Sequence, residues 1–294
     1  MQIPSINSTD WYRYMKHTKS MNREELHRAF CGTGMKLAVL TGLVIAFVHM
    51  ILVQLPLAQQ NGLGQQGLLT YPLEEPYYAS FYNLMMDILN PEGYTYYLLI
   101  PLLAVMPFSA SFYFDHRGGY DIQLCQRVSR KQYLRSKYLA CFLAGGTAIS
   151  IPLLFSYLSA LMILPDIVPA AAMGTNVLTP QIWLSDLYFS KPAAYLLIYM
   201  ALDFLMGGFY ACFGLVLSLF IQNCFVVWSA GFLLQLLVHT LVGSANMTMY
   251  YSALNWMRPG VGIVYPGIVL LWILLLGIVP GVLYHAKAGK KDFI

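Results

Sequence analysis

The chain has 294 residues, of which 58% are hydrophobic, 15% aromatic and only 10% charged, with a formal net charge of +4. A soluble domain carries about 25% charged residues, so water is not the main solvent of this chain. The positive balance is no nucleic-acid signal either, because the basic residues sit near the ends of apolar runs, where membrane insertion and anionic lipid select them.

A hydrocarbon core of ~30 Å calls for roughly 20 apolar residues per helical span. Lipid offers no partner to an open backbone, so spans of this kind are helices rather than strands. Residues 1–33 form a polar tail that ends in a predicted helix, lying along the interface or else extending the first span into the cytosol. Asn22 reads as its N-cap, Glu25 as the return member of a capping box, and Leu26, Ala29, Phe30 and Thr33 as its apolar stripe. No cleavable leader is expected before the first span.

A single transmembrane domain is predicted over residues 34–285, with six spans: Gly34–Leu55, Tyr96–Phe114, Tyr138–Leu164, Ala193–Ile221, Phe225–Val242 and Gly262–Tyr284. The first outer loop, Pro56–Thr95, carries an amphipathic pattern through Tyr77, Tyr78, Phe81, Leu84, Met85, Ile88 and Leu89. The loop after the second span, residues 115–137, is the most basic internal segment. The second outer loop, Pro165–Lys191, has little periodicity. Gln222-Asn223-Cys224 is a tight turn that makes the fourth and fifth spans antiparallel neighbours. Gly243–Gly260 is a short apolar stretch of the kind that dips back into a membrane under protein cover. A basic tail, residues 286–294, closes the chain.

Orientation follows from the basic residues. Six spans put all seventeen Lys and Arg residues except Lys191 and Arg258 on one face, which is therefore predicted to be cytoplasmic together with both termini. The predicted location is a bacterial plasma membrane, crossed several times. Cys31, Cys125, Cys141 and Cys224 lie at or near the same face and Cys212 lies in a span, so no disulfide framework or metal-ligand spacing is expected.

Chemistry-bearing motifs are sparse. Ala288-Gly289-Lys290-Lys291 lacks the second glycine and the Ser/Thr of a phosphate-binding loop, and no paired catalytic carboxylates or H-E-x-x-H motif occur. The chain is accordingly expected to be no enzyme, with no cofactor of its own. Asp203 is the one acidic residue inside a span, about ten residues from the outer end of the fourth helix at ~1.5 Å each, hence near mid-membrane. His49 and His239 are its candidate partners. Such a carboxyl serves either as a proton or substrate site or as a packing element; the lack of a second carboxylate favours packing. Gly145-Gly146, Gly207-Gly208 and Gly277-x-x-x-Gly281 allow close helix approach.

In the 115–137 loop, Asp121, Leu124, Arg127, Arg130, Lys131 and Tyr133 mix charge with apolar side chains, as suits docking onto a protein surface. The loop opens on Asp115 and ends Arg127-Val128-Ser129-Arg130-Lys131-Gln132-Tyr133-Leu134-Arg135-Ser136-Lys137, and the chain ends Lys290-Lys291-Asp292-Phe293-Ile294. With the six-span plan, these features resemble the membrane subunits of type 2 ABC transporters. The loop opens with Asp where that family more often has Glu, and the first outer loop is longer than in minimal members. The resemblance implies a coupling helix in the loop, a cytoplasmic ATPase that binds ATP and Mg, a second permease copy or paralogue, and lipid surroundings. Implied is export of an amphiphilic cargo such as a peptide. Two other classes fit the residues: a proton-coupled secondary transporter using Asp203, and a peptide-binding immunity or sensor protein.

Overall fold

Long apolar runs leave the backbone no partner but its own i−4 carbonyl, and every element among the described residues is helical. The computed structural model describes residues 21–56, 58–59, 91–126, 128–164, 183–221, 223–259 and 265–288. The amphipathic pattern at Tyr77–Leu89, most of the second outer loop, Arg127 and residues 289–294 of the C-terminal tail lie outside the described residues. Among the described residues, five helices are long and apolar enough to cross a membrane: α2 (Thr33–Gln54), α6 (Arg130–Ile163), α8 (Pro192–Leu217, preceded by the short α7, Ser185–Ser190), α9 (Cys224–Ser244) and α12 (Pro266–Ala286). The chain is a membrane protein.

The second predicted span differs from expectation. Tyr96–Phe114 is not one helix: α3 (Pro91–Val105) ends in a turn over residues 106–110, and α4 (Ser111–Arg117) follows. Pro107 has no N–H to give the ladder. The turn is held from outside, where Ser109 Oγ donates to the Ala211 carbonyl at 2.8 Å. Opposite, Gly34 sits so close to the Met106 carbonyl that a Cβ there would lie 2.2 Å from its oxygen.

Helices α6 and α8 form the central pair. Gly145 faces Ala211 and the Gly207 carbonyl, and a Cβ on Gly145 would come within 2.4 Å of the Ala211 Cβ. Gly145, Gly146, Gly207 and Gly208, singled out in the sequence, sit at this crossing, while Gly277 and Gly281 bring the last helix against Phe209 and Tyr138. Tyr96 of α3 donates to the Ile149 carbonyl at 2.6 Å, and Gln235 of α9 donates to the Tyr97 carbonyl at 3.3 Å while accepting from Tyr210 at 2.8 Å. Buried polar groups paired in this way tie α3, α6, α8 and α9 into one bundle. Asn223 caps α9 by accepting from Phe225 N at 3.0 Å, and α8 and α9 pack as neighbours across the short turn.

The stretch predicted to dip back is two short helices, α10 (Thr248–Tyr251) and α11 (Ala253–Trp256). Ala253, Leu254, Trp256 and Met257 are buried in the main core. Arg258, which the six-span count puts on the face opposite most basic residues, is 4% exposed, with its guanidinium 5.4 Å from the centre of the Tyr94 ring. An aromatic face accepts a desolvated cation, which span counting does not register.

Candidate functional site: a buried ion cluster beneath the basic loop

The helix over residues 21–31, α1, already runs at Met21, so Asn22 is no N-cap. Instead its side chain accepts from Ser136 Oγ at 2.5 Å. The buried stripe of α1 is Met21, Glu25 and Ala29, with Leu26 packed beside it; Ala29 and Leu26 face inward as predicted, whereas Phe30 and Thr33 are exposed. Glu25 is therefore turned inward, fully buried against the bundle.

Four charges meet there. Lys137, fully buried, donates to the Asp115 carboxylate and, at 2.9 Å, to the Tyr133 hydroxyl, which itself donates to Asp115 Oδ2 at 2.9 Å. Arg28 clamps Asp115 with both terminal nitrogens, at 2.5 and 3.2 Å, and bonds Glu25 at 3.0 Å. Glu25 Oε2 lies 3.9 Å from Lys137. The Arg28 guanidinium also stacks 4.5 Å from the centre of the Tyr120 ring. Two acids and two bases cancel, which is the condition under which ions are tolerated away from water.

The cluster splits the two carboxyls. Burial pushes Glu25 above its ordinary value of 4.5, and Lys137 and Arg28 offset this only in part. At Asp115 burial pushes up too, but the charges and hydrogen bonds of Lys137 and Arg28 outweigh it and hold the group below 3.8. Burial works against the Arg28 charge, yet the Asp115 bond and the Glu25 charge raise its pKa further.

The loop is thus pinned at both ends and shaped between them. Gly119, at φ +68°, takes the left-handed conformation that reverses the chain from α4 into α5 (Tyr120–Cys125). Asp121 is buried: it bonds His116 Nδ1 at 2.8 Å and accepts from Ile122 N at 2.9 Å. Leu124 and Val128 pack against the core beside Tyr133 and Leu134. Tyr284 of α12 donates to the Leu134 carbonyl at 3.1 Å and seats the base of the loop on the last helix.

Of the sequence-derived docking residues, Asp121, Leu124 and Tyr133 therefore face the bundle, Arg130 is half-buried and Lys131 is exposed. The outward surface is instead Ile122, Gln123, Gln126, Lys131 and Arg135. Glu25, Arg28 and Lys137 were missed as site residues. The signal for them was an acid and a base on a helix that abuts a loop opening with Asp and closing with Lys.

Asp203 is 1% exposed and accepts from the Tyr97 hydroxyl at 3.2 Å; its other oxygen has no hydrogen bond among the described residues. Of the two expected histidine partners, His239 bonds Ser252 Oγ at 2.8 Å through Nδ1. His49 is buried at the end of the regular part of α2. Among the described residues no three His, Cys, Asp or Glu side chains gather as metal ligands would.

Comparison with protein-family models, curated proteins and solved structures gives no match for this chain.

Proposed function

We propose that this protein is the membrane subunit of an ATP-driven exporter, similar to type 2 ABC permeases, in which a separate ATPase docks on the 115–137 loop. The observation that carries the reading is the clamp of Asp115 by Lys137 and Arg28. A loop fixed at its base to α1, α6 and α12 moves with the spans as a body, while Ile122, Gln126, Lys131 and Arg135 stay open to a partner. A push on such a loop reaches the helices without being lost in loop flexing.

In this reading the α3–α4 unit is a sixth crossing broken by its turn, both termini are cytoplasmic, and α1 lies along the cytoplasmic face of a bacterial plasma membrane. The chain hydrolyses nothing itself. ATP and Mg are held by the partner, and a second permease copy or paralogue completes the route for an amphiphilic cargo such as a peptide. Retention of an ATPase by the purified membrane complex, and its loss on charge reversal at Lys131 and Arg135, tests the proposal.

A second reading rests on Asp203, whose unbonded oxygen in the bundle interior is what a proton-coupled secondary transporter would use. It requires transport that is independent of any ATPase and abolished in Asp203→Asn.

A further inference from the structure

A cleft of about 480 Å³ opens beside the ion cluster, in the size range of small-molecule and lipid sites. It lies where three irregularities coincide: the break at Gly32 between α1 and α2, the turn over residues 106–110, and the start of α9. Its walls include Leu37, Met106, Phe108, Phe114 and Trp228. Leu37 and Phe114 are each more than half exposed, so the cleft opens sideways onto the surface that faces lipid.

The polar end of the cleft is built for a negative group. Arg28 lines it with a third of its side chain exposed. Its three hydrogen bonds to Glu25 and Asp115 leave donor capacity, since a guanidinium carries five N–H groups. The N-terminus of α2 also lines it, with Gly32 supplying no side-chain cap and no acidic residue in the first turn. Helix N-termini favour anions. Independently, Ser111 lines the same cleft, more than nine-tenths buried, and its hydroxyl has no hydrogen-bond partner among the described residues. The acids nearby, Glu25 and Asp115, are buried behind Arg28 and spent on it and Lys137.

We propose that this cleft binds one anionic phospholipid, its phosphate between Arg28 and the N-terminus of α2 and an acyl chain along Leu37, Phe114 and Trp228. An anionic headgroup and an apolar tail match the two ends of the cleft, and anionic lipid is the amphiphile the cytoplasmic leaflet supplies in bulk. The site does not depend on an ATPase partner, so its failure leaves the exporter reading untouched, and the reverse holds too.

The test titrates the purified full-length chain in detergent micelles with phosphatidylglycerol, phosphatidylcholine or inorganic phosphate and follows the thermal unfolding midpoint. Wild type is expected to show a saturable upward shift with phosphatidylglycerol at roughly tenfold lower concentration than with phosphatidylcholine, and none with phosphate. Thr33→Glu puts a carboxylate at the mouth of the cleft, on an exposed residue where acids favour the helix, so folding is preserved while the preference for phosphatidylglycerol disappears. Leu37→Trp fills the apolar end and abolishes the saturable shift. Equal titrations with the two lipids overturn the proposal, as does a preference retained in Thr33→Glu. A shift produced by inorganic phosphate alone reassigns the site to a free anion and also overturns it.

Discussion

Asp115 and Lys137, the first and last residues of the basic loop, meet as a buried ion pair beneath it. The pair closes the loop on itself, and Arg28 of α1 ties that closure to the helix before the first span. Removing one partner strands a charge in the interior. Asp115→Asn and Lys137→Met should each lower stability by about 3–5 kcal/mol, while the double variant should lose clearly less than their sum. Thermal unfolding of the purified variants in detergent reads this directly; additive losses would mean the two residues act separately.

The two carboxyls of the cluster respond to pH with opposite sign. Asp115 sits below 3.8, so its contribution is complete above that value and is lost as pH falls through the lowered one. Glu25 sits above 4.5, so its contribution is complete below that value and fades as pH rises through the raised one. Wild type should therefore lose stability on going from weakly acidic to neutral pH, and Glu25→Gln should not. Superimposable pH profiles of the two proteins would show that Glu25 is not the group responsible.

The α6–α8 crossing has no room for a side chain at Gly145, where a Cβ meets Ala211 and two carbonyl oxygens. Gly145→Ala should cost about 1–3 kcal/mol through overpacking, and Gly145→Leu should prevent assembly of the pair. Yields and unfolding midpoints in detergent check the order wild type, Ala, Leu.

At Asp203 the exporter reading predicts little. Asparagine keeps an acceptor for the Tyr97 hydroxyl, so Asp203→Asn should retain transport, and Tyr97→Phe should cost about 1 kcal/mol of stability. Loss of transport in Asp203→Asn at unchanged stability would favour proton coupling.

Five of the membrane helices were legible because apolar length alone identifies them. The broken second segment was not, because its turn is held by Ser109 on Ala211 and by Gly34 against Met106, contacts distant in sequence. The stripe of α1 was misjudged for a related reason. Hydrophobicity turns Phe30 inward, but Lys137 and Arg28 make Glu25 the better buried residue. In the basic loop the residue types were readable and their directions were not: Tyr133 turns inward to Asp115, eighteen positions earlier, whereas Lys131 is exposed. Asp203 was recognisable as a buried carboxyl from its isolation among apolar residues. That Tyr97 would pair with it required the packing of α3 on α8.

The most direct test of the central claim is ATP hydrolysis by the membrane complex purified through this chain, wild type against Lys131→Glu with Arg135→Glu. Both side chains are exposed, so the double variant should fold. The account predicts that an ATPase accompanies wild type and is lost from, or uncoupled in, the variant. An ATPase absent from wild type, or retained with full activity by the variant, would contradict docking on this loop.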